Sequence, residues 1–381
     1  MTVSRSAKPD EIERLVALAD RTFRKPGQTS MGAAYSMLFS KDNAHNLLII
    51  EEDGIPATLV GLLKSELSIA GCTIPVVSMG AVCTDTAYRG RNFADRLVKR
   101  SIDKCAEDGA QLLLISGTRG LYQRNDCLEV GGVRRFTIRS NEDLEGLERA
   151  EAVIRPYDEV QDQDRPAIIK LMEAEKAYYK RTEAELDQLI RSAAVASNES
   201  AEQHVGLSFT NNGEAIGYIV YVLLIKEGFL TAEILEYAGN DEAVIGLLHE
   251  IIDRLSPQQL HIPVMGDRAA LSEKLASTGC AFSESMIPGT IRMINFPGLW
   301  SSLQPYMMRQ LGADRLSELS LVETSNGYKI SYKDESLTIG HRGATALLFN
   351  GSSLTEQSEL KAVLAQLFPL PFPYTENLNF V

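Results

Sequence analysis

The densest concentration of chemistry-bearing residues lies at 82–94, reading Val-Cys-Thr-Asp-Thr-Ala-Tyr-Arg-Gly-Arg-Asn-Phe-Ala. A strand-like run (76–84) ends, a short basic loop with one glycine turns, and an amphipathic stretch (92–108) begins. Such a junction makes an anion site, because unpaired amide N–H groups and the positive end of a helix converge on one point. Arg89, Arg91, Arg96, Lys99 and Arg100 fall within twelve positions, with Asp95 the only acid among them. In a chain of formal net charge −13 this is a local inversion of the field, suited to a pyrophosphate plus a further phosphate. Taken alone, the loop is a weak signal, and a plain strand–turn–helix with solvated arginines accounts for it equally well. A dinucleotide-binding unit fails on element order, since the loop follows a long strand in an antiparallel run and the GxGxxG spacing is absent.

The surrounding elements are read from periodicity. Residues 10–24 carry a helical stripe (Ile12, Leu15, Val16, Ala19, Phe23), and strands are expected at 46–52, 58–64, 67–69 and 76–84, with Asp53-Gly54 as a turn. The helix 92–108 stops at Gly109, the apolar run 111–116 reads as a buried strand, and a brief helix and a last strand at 135–139 follow. After a polar stretch (141–151) the same order recurs: a helix near 164–179, a hairpin at Asn212-Gly213, strands at 220–224 and 232–237, helix 241–255, strand 260–264 and helix 269–278. The expectation is an α+β chain of three units, 1–150, 151–290 and 291–381, the second a divergent repeat of the first. In the third, a helix at 300–311, strands at 319–323, 328–332 and 336–339, and helices at 344–349 and 356–367 precede an apolar tail expected to dock.

Bulk properties narrow the classes. Five scattered cysteines without a CxxC, and five isolated histidines, argue for a reducing, cytoplasmic setting and against a metal or disulfide framework. The acidic balance disfavours nucleic acid and anionic membranes, and no transmembrane span or leader is readable. It fits a cationic substrate weakly.

The run Arg89-Gly90-Arg91-Asn92-Phe93-Ala94 resembles the Arg/Gln-x-x-Gly-x-Gly/Ala acetyl-CoA loop of the GCN5-related N-acetyltransferases (GNAT). Val82-Cys83-Thr84 is similar to the strand end that pairs with pantetheine there, and 114–117 with 120–124 to the fifth strand and its Tyr-x-Arg segment. The layout resembles the enhanced-intracellular-survival-like enzymes, implying two tandem GNAT-like mixed-sheet domains and a C-terminal sterol-carrier-like domain. Two positions depart from the pattern: Asn92 replaces glycine, and Asp126-Cys127 replace Gly-Phe. Asn92 is compatible with a left-handed turn, whereas Asp126 could repel the coenzyme or bind an amine.

The resemblance implies acetyl-CoA as co-substrate and a small-molecule or protein amine as acceptor, with a homo-oligomer allowed. It places the coenzyme on Val82, Cys83, Thr84, Arg89, Gly90, Arg91, Asn92, Phe93 and Ala94, with oxyanion donors among the backbone N–H groups of 82–84. Tyr122 is the candidate acid for the departing thiolate, and the terminal carboxylate of Val381 the candidate base, with Glu66 or water as alternatives. Cys83 reads as packing rather than nucleophile, and His45, His249 and His261 as structural or solvated. The second unit's loop, 237–242, has two acids and no arginine, so it should not hold a pyrophosphate. A catalytically silent acyl-CoA-binding sensor or interaction module, or a scaffold for an apolar ligand in the third unit, are the competing readings.

Overall fold

β1 (Val3–Ser6) pairs antiparallel with β2 (Leu47–Glu52), and the helix Ile12–Phe23 between them buries Leu15, Leu18 and Ala19. In β2, Leu48 and Ile50 join one apolar cluster while Leu47 and Ile49 join another, so alternation along the strand feeds cores on both faces. Asp53 (φ 52°) and Gly54 (φ 80°) both turn left-handed, giving a tight hairpin into β3 (Ile55–Ile69). β3 absorbs the two shorter strands expected there and pairs with β4 (Cys72–Thr84). The helix Phe93–Glu107 then leads to β5 (Leu112–Ile115), which lies parallel to β4 as an apolar, fully buried strand should. The structure, a computed structural model, describes residues 3–161, 163–199, 201–351 and 358–381.

The strand expected at 135–139 forms as β6 (Val133–Ile138), but it leaves the first sheet. β7 (Val153–Pro156) opens the second unit; the helix expected near 164–179 ends at Glu173, and its last residues form β8 (Ala177–Tyr179), which returns to pair with β3 of the first sheet. β9 (Glu202–Phe209), β10 (Ala215–Lys226), β11 (Phe229–Gly239), β12 (Gln259–Met265) and β13 (Ala281–Ser285) build the second sheet, ordered β13-β6-β12-β11-β10-β9-β7. β6 is thus inserted between β12 and β13, with the Phe136 and Phe282 rings in tilted contact, centroids 5.1 Å apart. In return, β14 (Thr290–Met293) crosses back and pairs with β5. Each sheet therefore contains a strand donated from beyond its own unit.

β15 (Leu319–Thr324), β16 (Gly327–Tyr332) and β17 (Glu335–Ile339) make a three-stranded antiparallel sheet. The single helix expected around 300–311 is two, Phe296–Ser302 and Gln304–Ser317, with Pro305 at the start of the second and a kink at Gly312 (φ 76°). Helices His341–Asn350 and Glu359–Leu367 complete the unit, and residues 356 and 357 of the expected last helix lie outside the described residues. Its core merges with the far end of the β3–β4 hairpin, where Leu67, Ile69 and Ile74 join Phe296, Trp300 and Tyr328. The architecture is α+β, as expected from the sequence. Among the described residues no helix is long and apolar enough to cross a membrane.

Candidate active site

The loop after β4 is built to leave donors free. Asp85 caps a short turn, Thr86–Tyr88, by accepting the Ala87 N–H at 3.0 Å. Gly90 (φ 79°) then turns in open space, and Asn92 is left-handed (φ 59°, ψ 22°) at the start of Phe93–Glu107. No side chain caps that helix, so its first-turn N–H groups lack an internal acceptor and face outward. Arg91 pairs with Glu52 at 2.7 Å and lies over the Tyr88 ring, Lys99 with Asp95 at 2.8 Å, and Arg100 with Glu107 at 2.8 Å. Arg89 and Arg96 are exposed and make no ion pair among the described residues, which leaves them as the cations available to an anion here.

Inward from this loop, β4 and β5 part. They pair only from Val76↔Leu112 to Met79↔Ile115. Beyond Met79, β4 bulges: Ala81 takes φ 51° and the register against β3 shifts between Leu59 and Gly61. Backbone at 80–84 therefore has no strand partner on the β5 side. The opening is a crevice lined by Ser78, Ile115, Ser116, Gly289 and the tail residues Phe380 and Val381. Val381 sits on Gly80 so closely that a Cβ built there would lie 2.6 Å from its main-chain carbon.

Of the two proposed catalytic residues only Val381 lines this opening; Tyr122 is buried in a separate apolar cluster. Tyr122, on the short helix Gly120–Gln123, belongs to the cluster with Met79, Ile115 and Phe93 under the loop helix. Its ring lies against Gly117, where a Cβ would be 2.9 Å away. Burial raises the phenol above its ordinary range, with Arg119 opposing. Val381 belongs to the other cluster, with Leu59, Cys83 and the helix Ile12–Phe23.

The tail is held by the second unit. Arg181 grips Glu236 at 2.6 and 2.7 Å and donates through Nε to Asn379 Oδ1 at 2.6 Å. Glu236 also accepts from the Tyr218 hydroxyl at 2.8 Å and from the Leu378 N–H at 3.4 Å. Burial alone would raise the Glu236 carboxyl, but Arg181 and these donors hold it below the usual carboxylate range. Tyr179, beside Ser78 in the crevice wall, is pushed up to about 12 by burial.

The other sequence candidates fall elsewhere. Burial pushes the Cys83 thiol up to about 12, so it is a packing residue and not a thiolate. Glu66 is exposed and faces Lys180 at 3.4 Å, away from the crevice lining. Asp126 binds Arg292 on β14 at 3.0 Å and so braces the exchanged strand. His45 is exposed, His249 meets Asn141 at 2.7 Å, and His261 meets Thr137 at 3.0 Å. Gly80, Tyr179, Arg181, Glu236 and Asn379 were not singled out by sequence. A glycine inside a strand pattern is a signal for close backbone approach and marks Gly80; the Arg181–Glu236 pair, 55 positions apart, has no local signal.

Residues 4–128 match the acetyltransferase (GNAT) domain family. No curated protein matches the chain in sequence. Solved structures are similar over nearly the whole length. A GCN5-related N-acetyltransferase from Anabaena variabilis ATCC 29413 is 16% identical, with 96% of this chain and 96% of that one covered at a TM-score of 0.69. One from Kribbella flavida is 14% identical, covering 100% and 98% at 0.66. Eis1 from Mycobacterium abscessus is 12% identical, covering 99% and 100% at 0.65. At these identities the likeness establishes the fold.

Proposed function

We propose that this chain is an N-acetyltransferase that moves an acetyl group from acetyl-CoA to a primary amine by direct attack within a ternary complex. The single observation that supports this most is the seating of Val381 against Gly80 in the opening between β4 and β5. The match of residues 4–128 to an acetyltransferase domain adds to it. In this reading the coenzyme phosphates bind the uncapped N–H groups of 92–94, with Gly90 giving access and Arg89 and Arg96 supplying charge. Arg91 and Phe93 shape the loop, and pantetheine pairs with the backbone of Val82, Cys83 and Thr84.

The Val381 carboxylate takes a proton from the incoming ammonium. The freed amine adds to the thioester carbonyl, and N–H groups at 82–84 receive the oxyanion. As the C–S bond breaks, the Tyr122 hydroxyl donates its proton to the thiolate, the nitrogen sheds its extra proton as the amide forms, and the phenolate takes up a proton to close the cycle. Because burial raises that phenol, the acid stays protonated through its ordinary value of about 10 and is lost only above it. The alkaline limb of kcat is therefore expected above pH ~10. We read the first two units as tandem acetyltransferase-like domains of which only the first binds coenzyme, the third as sterol-carrier-like, and the setting as cytoplasmic.

Calorimetric titration with acetyl-CoA, followed by thiol release against a panel of amines, tests this. The expected result is binding in the micromolar range, turnover with some amine, and loss of turnover but not of binding in Tyr122→Phe and on appending a glycine after Val381. Absence of binding sinks the reading. Binding without turnover on any amine leaves an acyl-CoA-binding sensor, the reading that the side chain of Asn92 favours.

A further inference from the structure

The second unit repeats the strand divergence but fills it differently. β11 and β12 pair only from Thr231↔Gln259 to Glu233↔His261 and then part. The space that opens is a pocket between these strands, β8 and the tail segment 372–377. A phosphate chain cannot enter at its loop end. Asn240 caps the helix Asp241–Leu255, Glu175 accepts the Gly239 N–H at 3.2 Å, and Arg268 donates to the Gly239 carbonyl at 3.0 Å.

The charges on the cavity wall do not cancel. It carries three carboxylates (Glu175, Glu236, Asp267) and two guanidiniums (Arg181, Arg268). Arg181 is committed to Glu236, and Arg268 to Glu175 at 3.0 Å and Asp241 at 3.1 Å. Asp267 makes no ion pair among the described residues; Lys176 approaches its main-chain carbonyl at 3.5 Å. The aromatic hydroxyls are also engaged: Tyr218 donates to Glu236, Tyr237 to the Pro263 carbonyl at 3.1 Å, and Tyr374 to Glu376 at 2.9 Å. What remains for a guest is ring faces, with Tyr178 and Phe372 added, and one half-buried carboxylate that is in no ion pair among the described residues, with Lys176 and Arg268 nearby. Arg268 already lies 5.6 Å over the Tyr237 ring, so a cation on an aromatic face is an arrangement the site uses.

We propose that this cavity is a second ligand site, for a small organic ammonium ion with an apolar body, held by Asp267 and the tyrosine faces. It is separate from the acyl crevice, with Tyr179 as shared wall, and does not depend on acetyl transfer. Desolvation favours a soft, weakly hydrated cation over a metal ion, because rings supply no oxygen ligands and only one carboxylate is available.

Benzyltrimethylammonium is the probe, since a quaternary amine cannot be an acetyl acceptor. Calorimetry on the full chain is expected to give one site with Kd on the order of 1 mM. Asp267→Asn should weaken it roughly tenfold while acetyl-CoA affinity stays unchanged, which certifies the fold. Tyr178→Leu, which keeps the charge, should weaken it about threefold. Glu273→Gln, an exposed carboxylate nearby, should change nothing, and neutral benzyl alcohol should bind roughly tenfold less well. No saturable binding up to ~20 mM, wild-type binding by Asp267→Asn, or equal binding of the alcohol overturns the proposal. Each can happen whether or not the acetyltransferase reading survives.

Discussion

Both units place an asparagine where a strand turns into a helix, and the two asparagines do opposite things. Asn240 is extended (φ −71°, ψ 155°), and its side chain accepts the Ala243 N–H at 2.7 Å. Asn92 is left-handed and caps nothing. One junction satisfies its own donors and surrounds them with Asp241, Glu242 and Glu175; the other leaves them open among arginines. Residue type at this position does not decide whether the first helical N–H groups are left free. Backbone conformation does, and the flanking charge agrees with it.

The contrast also separates the ion pairs, and here the largest effect is expected. Arg181 is 2% exposed, so Arg181→Ala strands Glu236 and should cost about 3–5 kcal/mol in chemical denaturation. Arg91→Ala, at the solvent-facing pair of the first unit, should cost less than ~1 kcal/mol. Equal losses would erase the distinction. Next, Gly80→Ala forces Val381 from its seat and should lower kcat by roughly 100-fold with acetyl-CoA affinity nearly intact; a pure affinity loss would mean the tail does not serve the reaction.

A smaller effect sharpens the loop comparison. The double variant Arg89→Ala, Arg96→Ala should raise the acetyl-CoA Kd about tenfold at low ionic strength and less at 1 M salt. The charge reversal Asp241→Arg, Glu242→Arg in the second unit should confer no acetyl-CoA binding, because Asn240 keeps that helix closed. Smallest of all, Asn240→Ala should lose about 1 kcal/mol in thermal unfolding. Asn92→Gly should change stability by only a few tenths of a kcal/mol, since glycine takes the left-handed backbone freely.

What was legible follows from range. The loop 82–94, the helix it opens and the buried strand after it are written in local pattern, so they were placed to within a few residues. The left-handed tolerance of Asn92 could be read from its residue type. β6 was found as a strand but put in the wrong sheet, because Val133, Phe136 and Ile138 show only that a strand is buried, not which neighbours bury it. β14 and β8 are four and three residues long, too short for a period to register. Asp126 stood out only as a departure from the family pattern, because its partner, Arg292, lies 166 positions away. The tail was expected to dock, yet its anchor joins Arg181, Glu236 and Asn379 from three separate segments.

The reciprocal crossing of β6 and β14 bears on how the molecule can be cut. A break near residue 150 would carry β6 away with the first half and strip β14 from it, leaving each fragment with a bare sheet edge and an orphan strand. The two units are therefore buckled rather than strung: neither can melt alone without opening the other. A single unfolding transition by calorimetry is the expected signature, and an isolated N-terminal piece would have to borrow a strand, most readily from a second copy of itself.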